Sequence, residues 1–451
     1  MSTLALGRLA RPRKPKAKGK KRSRAASQST EYSLLLTATL CLLALGAVMV
    51  FSASSTTQVL SDGNLANSAF YLKRTLMFGA VGLVAMHFAA RHGLVAVRRL
   101  TPALLVVSMF LLLAVLVAGT SANGASRWLG PGSLQFQPSE LAKIALILYG
   151  ADLLAREPKR VRSLEGLMPF LLVVGTACLL IIAEPDMGTT MVVAFSIAAM
   201  LIAAGARPVD LGKIVLCLGV LALLMTVVEP YRMARLTGFL HPGSDASGAG
   251  FQAAQAKIAL GSGGLFGVGI GNGVQKAFYL PEAHTDMISA VIGEELGMLG
   301  ILGVVGLFGM LAYAGLRTAQ KARDRYGKLL VAGLTSLVLV QATINLFAVM
   351  GLAPLTGVPL PLVSYGNSSL LVTLFAVGLI LNVARGGRAA AAARPGRASG
   401  AGKLRVVEGG RSPTRKRSQS SRGKSAQNRG GGGRNRRTRR AGDGRRRRAS
   451  G

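Results

Sequence analysis

The sequence predicts an all-α polytopic membrane protein, a bundle of about ten transmembrane helices between two basic tails. Half of its 451 residues are apolar, 16% are charged, and the mean hydropathy is +0.43. Soluble domains usually carry about 25% charged residues. Residues 1–31 hold 10 Lys/Arg and one acid, and residues 385–451 hold 22 Lys/Arg and two acids. The middle of the chain, 32–384, holds 22 Lys/Arg and 15 acids among its 353 residues. This distribution excludes a soluble globular enzyme and argues against a nucleic-acid-binding protein.

Ten apolar stretches are long enough to cross a bilayer, which takes about 20 residues. They are 33–53, 75–90, 100–118, 138–155, 166–183, 187–205, 209–228, 286–316, 328–350 and 367–384. The fifth and sixth are separated by Glu184-Pro185-Asp186, and a proline breaks a helix. We therefore expect two helices joined by a turn there, and a long extracytoplasmic loop at 229–285, between the seventh and eighth spans.

The charges of the loops predict which side of the membrane each loop occupies. The loops near 91–99, 156–162, 207–213 and 317–328 contain 14 Lys/Arg, against three in the four alternating short loops. Basic loops stay inside, so we expect a multi-pass protein of a bacterial cytoplasmic membrane with both termini in the cytoplasm. The tails 1–31 and 385–451 are predicted to be disordered. They favour anionic lipids as partners over nucleic acid.

The first polar group lies at the outward end of the fourth span, where an ionisable residue is costly and therefore a functional candidate. Glu140 and Lys143 are three residues apart on a helix that begins near Pro138, so they can pair. Arg127 with Lys143 could hold a pyrophosphate. Trp128 beside Arg127 is also typical of a simple interfacial anchor.

The second polar group is the turn between the fifth and sixth spans. Glu184 and Asp186 flank Pro185 and precede Gly188-Thr189-Thr190. Two readings stay open for these acids, because an acid in such a turn can serve a substrate or can merely cap the helix that follows.

The third polar group belongs to the long outer loop. Its glycine-rich stretch 261–273 follows nothing like a Rossmann strand, so it indicates close backbone packing or amide contacts to a lipid-linked phosphate rather than dinucleotide binding. His284 and Asp286 come next, at the start of the eighth span. Asp286 is either an N-cap or an anion favoured by the helix dipole. Glu294, deeper in the same span, is expected to hold a neighbouring helix.

The fourth polar group, residues 354–369, has three prolines and no charge between two spans. Irregular backbone at membrane depth is tolerated only when it is buried in protein or lines a cavity. All four groups lie on the predicted outer side, so together they imply an outward-facing polar cavity.

Taken together, these residues resemble the FtsW/RodA/SpoVE (SEDS) family, whose members polymerise peptidoglycan glycan strands. The likeness covers about 32–384 and keeps the family's motif order: Gly124–Leu129 with Gln137–Lys143, Glu184–Gly188, Leu280–Asp286 with Gly293–Gly297, and Leu360–Ser369. The stretch 267–283 is more similar to the division (FtsW) branch than to the elongation (RodA) branch. The chain departs from the family at Met287 and Ser289, usually aromatic, and at Asn367, usually glycine.

The resemblance implies that Asp286 is the catalytic residue. It implies substrate-binding roles for Arg127, Lys143, Glu140, Glu184, Asp186, His284, Ser364 and Ser368. The reaction would join lipid II to the growing strand by a β-1,4 bond on the outer face and release undecaprenyl pyrophosphate. Because this leaving group needs charge neutralisation rather than a proton, one carboxylate acting as base suffices. No cofactor is evident, although Mg²⁺ or Mn²⁺ could assist the pyrophosphate.

The partners that the resemblance implies are lipid II, the growing glycan strand, a class B penicillin-binding transpeptidase and other divisome membrane proteins, which would enrich the chain at the division septum. A lipid II flippase is the main alternative, but it needs polar groups reachable from both leaflets, and the inward half of the spans has few acids besides Asp152. A RodA-like elongation polymerase and an inactive division scaffold are further alternatives.

Overall fold

The computed structural model describes residues 19–62, 69–122, 125–130, 135–228, 230–240 and 249–386. The helices are α1 Gly19–Asp62, α2 Phe70–Ala118, α3 Pro138–Arg156, α4 Leu164–Ala183, α5 Met187–Ala204, α6 Pro208–Val228, α7 Pro230–Leu240, α8 Ala249–Ser262, α9 Gln275–Phe278, α10 Ile288–Lys321, α11 Arg325–Val349 and α12 Asn367–Ala384. A small antiparallel hairpin pairs β1 Thr120–Ala122 with β2 Ala125–Trp128.

The predicted all-α polytopic class is confirmed. In the described ranges, seven helical segments are long and apolar enough to span a membrane: Thr30–Ser55, Leu94–Ala118, Leu164–Ala183, Met187–Ala204, Ile288–Lys321, Arg325–Val349 and Asn367–Ala384. The other three predicted spans lie within α2, α3 and α6. The predicted turn at 184–186 is confirmed too, since α4 ends at Ala183 and α5 begins at Met187.

The first helix begins earlier than predicted. α1 starts at Gly19, inside the segment 1–31 that was expected to be a disordered tail. Lys, Arg and Ala are good helix formers, which accounts for a helix that continues beyond the apolar span. Residues 1–18 and 387–451 lie outside the described part of the chain, and the predicted disorder of both tails stays a prediction.

α2 contains two of the predicted spans and must reverse direction between them. A straight helix of its 49 residues would be about 74 Å long. Yet both ends of α2 lie near the same cavity. Tyr71, near the start of α2, has its ring centroid 4.9 Å from that of Tyr365. Tyr365 lines a cavity together with Arg127, which follows the end of α2 by nine residues. Arg98, in the middle, contacts Asp152 near the far end of α3. The turn therefore lies near Arg98, where a cytoplasmic loop was predicted.

The predicted outer loop between the seventh and eighth spans contains α7, α8 and α9 rather than irregular backbone alone. After α8, the glycine-rich stretch packs against α10, whose helix is broken at Gly297 (φ 67°, ψ −163°). The N–H groups of Val268 and Gly269 donate to the carbonyls of Glu294 and Glu295, and those of Met298 and Leu299 donate to the carbonyls of Gly264 and Leu265. The loop thus supplies the hydrogen bonds that the broken helix lacks.

The glycines of this junction permit the close approach. A Cβ built on Gly267 would lie 2.1 Å from the Glu295 carbonyl oxygen, and one on Gly297 would lie 2.4 Å from the Gly267 nitrogen. Both glycines also have positive φ, which side-chain-bearing residues rarely adopt. The predicted close backbone packing is therefore confirmed. The amides of Val268 and Gly269 are already bonded, so the alternative, amide contacts to a lipid-linked phosphate, stays a prediction for the rest of the stretch 261–273.

The buried centre of the bundle is formed by α11 and α12. α11 packs against α10, α5 and α3, and α12 packs against α2. In contrast, large apolar side chains on the second half of α2 are exposed, including Val106, Phe110 and Val117, as expected of a helix that faces lipid. This packing brings the N-terminal ends of α3, α5, α10 and α12 together at one end of the bundle.

Candidate active site

One polar cavity of about 410 Å³ lies where these helix ends meet. Its wall includes residues from all four polar groups recognised in the sequence: Arg127, Gln137, Glu140, Asp186, Glu282, Asp286, Pro359, Tyr365, Ser368 and Ser369. α7 and α8 add Arg235 and Gln252. The predicted convergence of the four groups on a single cavity therefore holds.

Asp286 lines the cavity just before α10, and its carboxylate does not cap that helix. α10 begins at Ile288 with Met287 as its N-cap residue, and no side chain accepts a capping bond there. The Asp286 carboxylate instead accepts a hydrogen bond from Thr285 Oγ1 at 3.2 Å. The capping interpretation of Asp286 is therefore wrong, because the helix starts two residues later than the sequence suggested.

The environment of Asp286 suits a general base. The pKa of its carboxyl is raised from 3.8 to about 6, chiefly by burial and also by the nearby Glu282 carboxylate. The backbone N–H of Asp286, the Thr285 hydroxyl and the Arg235 guanidinium act in the opposite direction. A general base works best when its pKa lies near the working pH, since a large fraction of it is then ionised and it is still basic enough to accept a proton.

Arg235 on α7 is a cavity residue that the sequence analysis missed. Its Nη1 donates to the Leu355 carbonyl at 3.0 Å. A Cβ built on Gly357 would lie 3.9 Å from that nitrogen and 3.7 Å from Asp286 Oδ2. The guanidinium and the carboxylate thus border the same space beside Gly357. The amphipathic pattern of residues 230–240 was the signal that could have revealed this helix.

Arg127 braces the turn that carries the two acids of the second group. It donates from Nε to the Glu184 carbonyl at 3.3 Å and from Nη2 to the Pro185 carbonyl. Asp186 caps α5, accepting from the Thr189 N–H at 3.0 Å, and also accepts from Gln137 Nε2 at 3.1 Å. The capping interpretation of Asp186 is thus confirmed, while Asp186 still lines the cavity beside Arg127 and Trp128.

Glu184 lies behind this turn rather than in the cavity wall. It is 1% exposed, and neither carboxylate oxygen contacts a donor among the described protein atoms. The pKa of the Glu184 carboxyl is raised to about 8, chiefly by burial and also by the Asp186 carboxylate, while Arg127 acts in the opposite direction. Its position fits an indirect role, through the turn that holds Asp186 and Arg127.

Glu140 and Lys143 form the buried ion pair that their spacing predicted. Lys143 Nζ lies 2.8 Å from Glu140 Oε1 and 3.1 Å from Gln341 Oε1. Glu140 reaches the cavity wall, whereas Lys143 does not. Lys143 therefore neutralises and orients Glu140 and does not face the space where a pyrophosphate would bind.

His284 belongs to an aromatic cluster beside the cavity. Its ring centroid lies 4.3 Å from that of Tyr71 and 5.5 Å from that of Tyr365. Burial lowers the pKa of the His284 imidazole, and the Glu282 carboxylate opposes this shift. Tyr365 is the member of the cluster that lines the cavity, so His284 supports the wall from behind.

The two predicted serines have different positions. Ser368 lines the cavity, and its hydroxyl accepts from the Gln137 N–H at 3.2 Å. Ser364 lies inside the loop before α12, where its hydroxyl accepts from the Leu360 N–H at 2.8 Å. Ser364 therefore shapes the loop rather than the cavity surface.

Two acids of α10 hold the loop structure instead of the cavity, as was expected for Glu294. Glu294 Oε1 accepts from the N–H groups of Val274 and Gln275, at the start of α9. Glu295 forms a buried ion pair with Lys276 and accepts a bond from Ser52 of α1. In the described ranges, no group of three or more His, Cys, Asp and Glu side chains is placed to hold a metal ion.

Comparison with known proteins finds relatives along almost the whole predicted membrane domain. The family model FTSW_RODA_SPOVE, described as "Cell cycle protein", matches residues 32–389. Stage V sporulation protein E of Bacillus subtilis is 41% identical over 358 residues, 78% of this chain and 96% of that protein. The probable peptidoglycan glycosyltransferase FtsW of Trichlorobacter lovleyi is 41% identical over 364 residues, 79% of this chain and 94% of that protein.

Solved structures with the same fold cover the same part of the chain. One, described as the structural coordination of polymerization and crosslinking by a peptidoglycan synthase complex, has a TM-score of 0.64 at 29% identity, covering 78% of this chain and 96% of that one. The rod shape determining protein RodA of Thermus thermophilus has a TM-score of 0.58 at 28% identity, covering 78% and 95%.

Proposed function

Because this chain belongs to the FtsW/RodA/SpoVE family, we propose that it is a peptidoglycan glycosyltransferase that polymerises glycan strands from lipid II. Relatives at about 40% identity carry the name probable peptidoglycan glycosyltransferase. The observation that carries the proposal is the carboxylate of Asp286, which lines a polar cavity and is not used as a helix cap.

In the proposed reaction, the 4-hydroxyl of the acceptor GlcNAc attacks the anomeric carbon of the donor MurNAc. Asp286 takes the hydroxyl proton as the new C–O bond forms. The bond to undecaprenyl pyrophosphate breaks, and its electron pair leaves with the pyrophosphate. Attack from the face opposite the leaving group inverts an α-linked donor to a β-1,4 bond.

The leaving pyrophosphate needs positive charge, and two cavity arginines are in place to provide it. Arg127 and Arg235 both line the cavity wall, and guanidinium groups suit phosphate oxygens. Lys143 contributes through Glu140. A divalent cation, Mg²⁺ or Mn²⁺, would be held chiefly by the pyrophosphate itself, because the described residues offer no dedicated ligand set.

We further propose that the cavity opens on the outer face of the cytoplasmic membrane and that the chain works in septal synthesis with a class B penicillin-binding transpeptidase. The loop charges support this orientation. The structural likeness to a subunit of a peptidoglycan synthase complex supports a crosslinking partner. The similarity to FtsW relatives supports the division role.

A polymerase fits better than a flippase because the polar cavity lies at one end of the bundle. Towards the other end, Asp152 is paired with Arg98 and Arg156, each at 2.7 Å, rather than placed to receive a lipid head group. The test is to reconstitute the full chain in liposomes with fluorescent lipid II, with and without the transpeptidase. Glycan strands on a gel support the proposal, and lipid II translocation without polymer refutes it.

A further inference from the structure

A buried asparagine joins the backbone of Asp286 to the facing cavity wall. Asn345 of α11 is 2% exposed. Its Nδ2 donates to the carbonyl oxygens of Asp286 at 2.7 Å and of Val358 at 2.8 Å. Its Oδ1 accepts a hydrogen bond from the hydroxyl of Ser289, the second residue of α10.

These bonds fix which way the amide points. A carboxamide has two N–H donors and one carbonyl acceptor. Both donors of Asn345 face backbone carbonyls, which cannot donate, and its oxygen faces a hydroxyl, which can. The reverse orientation would place oxygen against two oxygens, so the network allows one arrangement.

The network matters because Val358 follows Gly357, the residue that borders the Asp286 carboxylate. A Cβ on Gly357 would lie 3.7 Å from Asp286 Oδ2. One amide therefore sets the spacing between the backbone that carries the carboxylate and the loop opposite it. Ser289 completes the arrangement by donating its hydroxyl to Asn345 Oδ1.

We propose that Asn345 and Ser289 are positioning residues that hold Asp286 at its working distance from the 357–359 wall. This inference rests on the proposed function, in which Asp286 is the base. Small displacements of a catalytic group reduce turnover far more than they reduce ground-state binding. Loss of the pair should therefore lower kcat while KM for lipid II stays unchanged.

The test uses Asn345→Leu, which keeps the branching of the side chain but removes all three hydrogen bonds. A misplacement of about 1 Å can cost roughly a hundredfold in rate, so we expect kcat to fall by about that factor. Ser289→Ala should lower kcat about tenfold, because the Asn345 amide keeps its bonds to the two backbone carbonyls but loses the hydrogen bond from Ser289. Ser289→Thr keeps a hydroxyl and should restore most of kcat.

Asn382 provides a matched control within the chain. On α12 its Nδ2 also donates to two backbone carbonyls, Ala89 at 3.0 Å and Ala90 at 3.1 Å, and it is 6% exposed and away from the cavity. Asn382→Leu should lower the thermal unfolding midpoint about as much as Asn345→Leu, with kcat per folded molecule unchanged. Equal losses of kcat in the two variants would overturn the positioning role.

Parallel measurement of Asp286→Asn separates this inference from the proposed function. If the wild-type chain makes no polymer, the proposed function fails and the positioning role fails with it. If Asp286→Asn polymerises normally, the role of Asp286 as base fails, and the positioning role again fails with it. If Asp286→Asn is inactive while Asn345→Leu keeps the wild-type kcat, the positioning role alone is wrong. If Asn345→Leu does not insert into the membrane, the test is the comparison of Ser289→Ala with Ser289→Thr. Equal kcat values for these two variants would overturn the inference.

Discussion

Replacing Asp286 with asparagine tests the catalytic assignment most directly. Asparagine has nearly the same shape, but it cannot accept the proton of the acceptor hydroxyl. General base catalysis is typically worth 10²–10⁴-fold, so we expect polymerisation to slow by roughly that factor. Lipid II binding should persist, because the cavity arginines remain.

The same variant should be more stable than the wild-type protein. Burial raises the pKa of Asp286 from 3.8 to about 6, and one pKa unit corresponds to about 1.4 kcal/mol. The ionised carboxylate therefore costs the folded state about 3 kcal/mol above pH 6. A raised carboxyl pKa means that the folded state binds the proton more tightly, so this cost shrinks as pH falls through about 6 and is gone below about 4.

The assay combines gel-resolved polymerisation of labelled lipid II with thermal unfolding of the purified variants at about pH 7.5 and pH 4.5. The stabilisation by Asp286→Asn should be fully present at the higher pH and reduced to about a third at the lower one. Near wild-type polymerisation by Asp286→Asn would refute the role as base. A loss of stability at the higher pH would refute the account of its burial.

Three other sets of variants probe the cavity contacts. The acid limb of the kcat–pH profile should move to lower pH in Glu282→Gln and to higher pH in Arg235→Gln, because these charges shift the pKa of the base in opposite directions; unmoved limbs would contradict the assignment. Arg127→Ala should raise KM for lipid II about 10- to 100-fold, since a hydrogen bond to a charged group is worth about 1.5–3 kcal/mol. An unchanged KM would mean that Arg127 does not bind substrate and serves only as an interfacial anchor. Lys143→Met should destabilise the fold by about 3–5 kcal/mol by leaving Glu140 buried and unpaired; an unchanged unfolding midpoint in detergent would count against the buried pair.

Features set by neighbouring residues could be predicted from the sequence. The turn at 184–186 follows from Pro185, and the Glu140–Lys143 pair follows from helical spacing. Apolar length alone indicated the spans. These features need no knowledge of what packs against them.

Features that depend on distant partners could not be predicted in the same way. The helix break at Gly297 is not signalled by a proline in the sequence. It is stable because the glycine-rich loop supplies the hydrogen bonds that the broken helix lacks. Arg235 and Asn345 became visible only when α7 and α11 were placed beside Asp286. The capping interpretation of Asp286 failed by a two-residue shift of the helix start, a shift that local sequence does not fix.

The junction between the glycine-rich loop and α10 has a mechanical consequence for the segment that carries Asp286. The loop, α10 and the segment bearing Asp286 are tied into one stiff body by four backbone bonds and the Lys276–Glu295 ion pair. α7, which carries Arg235, lies outside that junction and reaches the wall through a bond to Leu355. α7 itself packs against α8, which packs against α10. Because Arg235 lowers the pKa of Asp286, a displacement of α7 away from the wall would raise that pKa, so the position of this helix is coupled to the ionisation of the base.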